Sequence, residues 1–184
     1  MNKCISLLLV LILATSAQPA HAWSESTHHI IAVMAFHLLA KNDQAKILSL
    51  LEKHPRYVDD FSPPADLPNE HERTLWRIGR AAYWPDVIRK NPIYDRPTWH
   101  YEKRPALVIG DVANLAIPDG AGTMPSNATL ETQALQISQA IVLCKTTLAD
   151  KGQPDADRAV ALCWLAHLVA DAHQPCHAGS LYME

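Results

Sequence analysis

Residues 154–177 read PDADRAVALCWLAHLVADAHQPCH, and the fold class follows from this stretch. Pro154 suits the first turn of a helix, and Val160, Cys163, His167 and Ala170 then recur on one stripe at helical spacing. Pro175 ends the run. His167 and Asp171 stand at i and i+4, so both project from that otherwise apolar face. A buried carboxylate beside a buried imidazole needs a balancing partner. A metal ion supplies one, and a hydrogen-bonded His–Asp pair inside a helical core accounts for the same spacing.

Working outward, the periodicity stays helical. From His28 the residues Ile31, Ala32, Ala35, Leu38 and Leu39 recur at helical spacing, with Ser26 or Thr27 as the cap. A second helix is expected over Gln44–Leu51, stopping at His54-Pro55. A third is expected over Glu70–Ala82, with Pro85 and Pro92 interrupting the chain beyond it. Asn127 is expected to cap a helix carrying Leu130, Ala134, Ile137, Ile141 and Cys144. Residues 91–127 lack periodicity and form a long irregular connection of the kind that carries function. No alternating run reads as a strand. The expectation is a single, mainly helical all-α domain with long irregular loops.

Composition narrows the class. The chain has 184 residues, 48% hydrophobic and 19% charged, which excludes disordered and collagenous proteins. Met1–Lys3, the apolar run Ile5–Ala14 and Ala20-His21-Ala22 have the pattern of a secretory signal cut after Ala22. The run of about ten residues is short of the ~20 that a spanning helix needs. A secreted or periplasmic product is therefore expected, with no membrane attachment after cleavage. Losing Lys3 leaves 15 basic against 19 acidic groups, a net of −4. That is not the profile of a protein gripping nucleic acid with a basic face. Of the cysteines that remain, Cys144 and Cys163 fall on consecutive helices and are the favoured disulfide pair. Cys176 is left free or paired beyond the chain.

Three further elements carry chemistry. Ala82-Tyr-Trp-Pro-Asp86-Val-Ile-Arg89 holds an Asp at a bend behind two aromatics; taken alone, a turn-forming Asp with a solvated Arg is the better reading of it. Trp99-His100-Tyr101 sets an imidazole between aromatics in the irregular region, where a partly buried loop His is the plain alternative. Cleavage after Ala22 would make Trp23 a free amino terminus five residues before His28. An α-amino group is a metal donor once its proton is displaced. His173 either orients Asp171 or caps the helix end, and His29, His37, His54 and His71 are expected at the surface or in packing. Asn127-Ala-Thr129 fits a glycosylation acceptor, although helix capping suffices for it.

Together, Trp23 with His28, Trp84-Pro85-Asp86-x-x-Arg89, Trp99-His100-Tyr101 and His167-x-x-x-Asp171-x-His173-Gln174-Pro175-x-His177 resemble the zinc-dependent, single-strand-preferring S1/P1 nucleases of fungi, plants and bacteria. The resemblance runs from Trp23 to the last residue. It implies the helical fold shared with zinc phospholipase C, and an endonuclease and 3′-nucleotidase. Single-stranded DNA, RNA and nucleotides would be its substrates, cut to 5′-phosphate products by a metal-activated hydroxide, with no obligate protein partner. It further implies that Asp86, His100, His167 and Asp171 hold one zinc, and that Trp23, His28 and a shared Asp171 hold a second. His177 would begin a third site. By the same resemblance Arg89 steadies the phosphate and Tyr101 stacks a base. Two zinc ions against two carboxylates would make the pocket positive, which reconciles an acidic chain with a phosphodiester substrate.

The chain departs from the family pattern at Ser24 and Thr27, where Gly is common, at Cys176 in place of Leu, and at Lys103 in place of an acidic residue near the base site. Family members also continue with a Gly-Gly-Asn segment and a late His and Asp. The expectation is therefore a leader over 1–22 and a nuclease domain over 23–184 incomplete at its C-terminus, with two zinc sites fully supplied and the third not. Two other readings are a zinc phosphodiesterase of the phospholipase C type and a non-catalytic zinc-binding remnant.

Overall fold

The computed structural model describes residues 24–111 and 113–183. The expected leader and Trp23 lie outside the described residues. Among these, about half the chain is helical, with seven helices and one pair of short strands. They are α1 (Glu25–Leu38), α2 (Lys41–Leu51), α3 (Tyr57–Asp60), α4 (Glu70–Val87), β1 (Pro105–Ile109), α5 (Ile137–Ala149), α6 (Asp155–Asp171), α7 (Pro175–Ala178) and β2 (Ser180–Met183). No helix among them is long and apolar enough to cross a membrane.

Helix α6 is the central element, packed against α5 on one side and α4 on the other, while α1 lies on α4. Asp155 and Asp157 fill its first turn, where negative charge complements the unpaired N–H groups, and Pro154 stands at the cap. Its buried residues include Val160, Cys163, His167 and Ala170, the stripe expected from the spacing. Alanines at 81, 140, 159 and 161 are buried at the helix contacts. Around them Trp84, Trp99 and Trp164 are buried together with Phe61, Leu51, Leu135 and Leu168. Each buried indole removes ~150–250 Å² from water, about 4–6 kcal/mol of transfer free energy before entropy is counted.

Several local expectations are corrected. Helix α1 begins at Glu25 with Ser24 at its cap position, not at Ser26 or Thr27, and no side chain bonds that cap. Helix α4 runs through Pro85 to Val87, so Asp86 sits in its last turn. Proline forgoes one helical hydrogen bond there, but the segment is held from outside: Trp84 Nε1 donates to Asp60 Oδ2 at 2.9 Å and Arg80 Nε to the Asp60 carbonyl at 3.0 Å. Helix α5 begins at Ile137, ten residues after Asn127, behind a capping box of Gln136 and Gln139. The carbonyls that a longer helix would use are taken by side chains of the 96–99 loop. Arg96 Nε donates to Leu130 O at 2.8 Å, Trp99 Nε1 to Thr132 O at 2.9 Å, and Thr98 Oγ1 to Leu135 O at 2.7 Å and to Gln133 O.

The strand pair is also a correction to the reading without strands. β1 and β2 run parallel with Leu107 opposite Leu181 and Ile109 opposite Met183, the register shifting between Pro105 and Leu107. Gly179 permits the approach: a Cβ there would lie 2.8 Å from Ala106 Cβ. Cys144 and Cys163 are free buried thiols rather than a disulfide, and Cys176 is a free exposed one. Burial pushes the two core thiols well above their ordinary range.

Candidate metal centre

The ends of α1, α4 and α6 converge with α7 and the 96–102 loop on one buried carboxylate, Asp171. One turn back on α6, His167 points Nδ1 at the Ala82 carbonyl of α4, 2.8 Å away. A carbonyl only accepts, so Nδ1 carries a proton and Nε2 is the nitrogen turned to the cluster. That nitrogen faces Asp171 Oδ2 at 3.0 Å and His100 Nδ1 at 2.9 Å.

His100 is delivered by the loop that Arg96, Thr98 and Trp99 pin to residues 130–135. It is fully buried, 3.2 Å from Asp171 Oδ2 through Nδ1, and its Nε2 has no hydrogen-bond partner among the described residues. His177 follows the turn at Gln174-Pro175, where proline occupies the first position of α7. Its Nδ1 donates to the His100 carbonyl at 2.6 Å and lies 3.4 Å from Asp171 Oδ2. The His177 carbonyl in turn accepts from the Glu102 N–H at 2.7 Å. From α1, His28 sets Nε2 3.4 Å from Asp171 Oδ1 and stacks on the His167 ring at 4.2 Å and 15°.

Burial opposes ionisation of Asp171, and hydrogen bonds from His100, His167, His177 and His28 outweigh it, holding the carboxyl far below its usual range. For His100 desolvation dominates over Asp171 and lowers the imidazole. For His177 the same carboxylate prevails over burial and raises it.

The donor set fits a divalent cation. With Nδ1 tied to a carbonyl, His167 turns only Nε2 toward Asp171 and His100, and once its proton is displaced that nitrogen is a metal donor. His28, Asp86 and His167 each bring one ligand atom within 4.8 Å of the others, and so do His100, His167 and Asp171. Imidazole nitrogen with carboxylate oxygen suits zinc, and donors bound at ~2.0–2.1 Å around one tetrahedral ion lie ~3.3–3.4 Å apart. A backbone carbonyl on the far nitrogen of His167 holds that ring, the usual support for such a ligand, while in His177 the nitrogen bonded to the His100 carbonyl is the one that also faces Asp171.

Asp86 stands at the rim of this cluster. Its Oδ1 accepts from Arg89 Nε at 2.8 Å and Nη2 at 2.7 Å. Partial burial works against the Arg89 charge, and Asp86 and Tyr101 outweigh it and hold the guanidinium above its ordinary range. Tyr101 is 40% exposed and stacks on His177 at 4.7 Å and 21°. Of the residues singled out from sequence, His28, Asp86, Arg89, His100, Tyr101, His167, Asp171 and His177 thus share one region; Trp23 lies outside the described residues. His173 is settled as a helix-end group: it is exposed and its Nδ1 donates to the Val169 carbonyl at 2.6 Å.

Two supporting residues escaped the sequence reading. Buried Arg96 donates to three carbonyls, of Leu130, Asp95 and Ile93. Buried Glu102 accepts from the Ala121 N–H at 3.0 Å and from Ser138 Oγ at 2.7 Å. Neither lies in a pattern that differs from ordinary loop charge; only position 102, next to Trp99-His100-Tyr101, was a signal. A family model described as S1/P1 Nuclease matches residues 23–182. No curated protein and no solved structure matches the chain.

Proposed function

Because the chain belongs to the S1/P1 nuclease family, we propose that it is an exported zinc-dependent endonuclease and 3′-nucleotidase. It hydrolyses single-stranded DNA and RNA to 5′-phosphate products, and its leader is removed after Ala22. The observation that carries this reading is the convergence of four imidazoles on the one buried carboxylate of Asp171, with His167 Nε2 3.0 Å from Oδ2 while its Nδ1 is tied to the Ala82 carbonyl.

His28, Asp86, His100, His167 and Asp171 would hold zinc, with the Trp23 amine joining them once the leader is gone, and His177 would serve a further ion. Bound zinc polarises a phosphoryl oxygen and lowers the pKa of water toward ~7. The chain's own groups do the rest. The Ala82 and His100 carbonyls keep the imidazoles aimed inward. Arg89, half-exposed beside Asp86, presents a fork of N–H donors to the non-bridging phosphate oxygens as charge develops on them. Tyr101 offers an open ring face on which an unpaired base stacks, worth ~1–3 kcal/mol per base without sequence readout. A duplex hides that face, which accounts for single-strand preference.

The test is zinc content together with cleavage of heat-denatured and duplex DNA by the purified protein, before and after chelation. The expected result is about two tightly held zinc ions, activity abolished by chelator and restored by zinc, and preference for the denatured substrate. Protein that holds no zinc, or that cuts both substrates equally, overturns the reading. Edman sequencing that does not begin at Trp23 overturns the export step.

A further inference from the structure

We propose that Gly79 is a positioning residue for the metal cluster: its bare α-carbon is the seat for the His29 ring, and that seat sets where α1 delivers His28. The proposal rests on the zinc-cluster reading above. Glycine in a helix interior costs about 1 kcal/mol relative to alanine, and Gly79 lies in the middle of α4 among buried Ile78, Ala81 and Ala82. Its backbone needs no positive φ; among the described residues only Gly110 and Gly120 adopt one among the glycines.

Space supplies the reason for the glycine. A Cβ at position 79 would stand 2.5 Å from His29 Cγ and Nδ1 and 3.0 Å from His29 Cβ. Cγ and Nδ1 can turn with χ1 into the open groove that His29 lines, but Cβ is carried by the α1 backbone. Relief of the Cβ contact from 3.0 to 3.4 Å requires α1 itself to move by about 0.4 Å, because the helix interface is packed. His29 directly follows His28, whose Nε2 is 3.4 Å from Asp171 Oδ1 and whose ring lies flat on His167 at 4.2 Å. Gly79 also stands two turns before Asp86 on the same stripe of α4. The seat therefore holds α1 against the α4 face that carries Asp86.

The experiment compares the protein with Gly79→Ala and with Gly79→Ala/His29→Ala, by zinc competition and by imidazole NMR of the metal-free form. Gly79→Ala is expected to weaken zinc binding about 10- to 100-fold and to shift the His28 ring signals as it leaves the His167 stack. Removing the His29 ring restores both, with zinc affinity within about threefold of the parent. A Gly79→Ala protein with parental His28 signals and affinity overturns the proposal, and so does a double variant as impaired as the single one. If the parent binds no zinc, the functional reading fails instead, and the His28 signals still decide the role of Gly79.

Discussion

Asp171 answers to four imidazoles with two oxygens, and three of those rings address Oδ2 alone. Replacing it by Asn removes the negative charge at the centre and leaves the four imidazoles around a neutral amide. Asp171→Asn is expected to lower zinc affinity by more than about 100-fold and to abolish cleavage, as read by dialysis and nuclease assay. Arg89 stands apart from the cluster and touches its rim through Asp86. Loss of one donor to a developing oxyanion typically costs ~10²–10³ in kcat. Arg89→Ala is therefore expected to lower kcat by about that factor with zinc content unchanged. The same residue scale shows what spacing could reveal. His167 and Asp171 are legible because a helix repeats, whereas which nitrogen of His167 faces the cluster depends on a carbonyl 85 residues away.

Among the elements, α4 is the one that most departs from its local signals. Its sequence ends in a proline, yet the helix passes through Pro85 and stops only at Val87, with Lys90 then in the left-handed region at φ 72°. A non-glycine residue there costs about 1 kcal/mol or more. Lys90→Gly is accordingly expected to raise stability by about 1 kcal/mol, a rise of about 2–4 °C in Tm by calorimetry. Helix α5 erred in the other direction, because Leu130 and Ala134 have helical spacing but their segment's carbonyls belong to Arg96, Thr98 and Trp99. Strand β1 carried no alternation since all five of its residues are exposed. It exists because β2 lies beside it.

For the whole molecule, the cluster ties five separate segments together, so ion binding couples to folding. At zinc 100-fold above its dissociation constant, linkage adds ~2.7 kcal/mol, which corresponds to a Tm about 5–11 °C higher than after chelation. Scanning calorimetry with and without zinc checks this. A second global property comes from His54, buried between Phe61, Trp84 and Tyr94. Desolvation, ahead of the opposing charge of Asp60, lowers its pKa from 6.5 to about 4. The folded state thus prefers the neutral ring. The stability it contributes is complete above pH 6.5 and falls as pH drops from 6.5 toward 4, by on the order of 3 kcal/mol. His54→Asn keeps an acceptor for the Arg56 N–H, which bonds Nδ1 at 3.1 Å. Urea titrations between about pH 4 and 7 are expected to show a shallower pH slope for this variant than for the parent.

The amino-acid sequence by itself determined the helical class and singled out the His and Asp residues that the fold gathers into one cluster, because periodic burial and His/Asp spacing are local properties of the chain. It also carried the family, through motifs whose order and spacing survive without a structure. Only the tertiary structure decided that His28, His100 and His177 meet at Asp171, that the loop at 96–99 claims the carbonyls of 130–135, and that Gly79 makes room for His29. Those facts are contacts between segments far apart in the chain. They come from how helices pack and which carbonyl a side chain finds, and no spacing along the sequence encodes them.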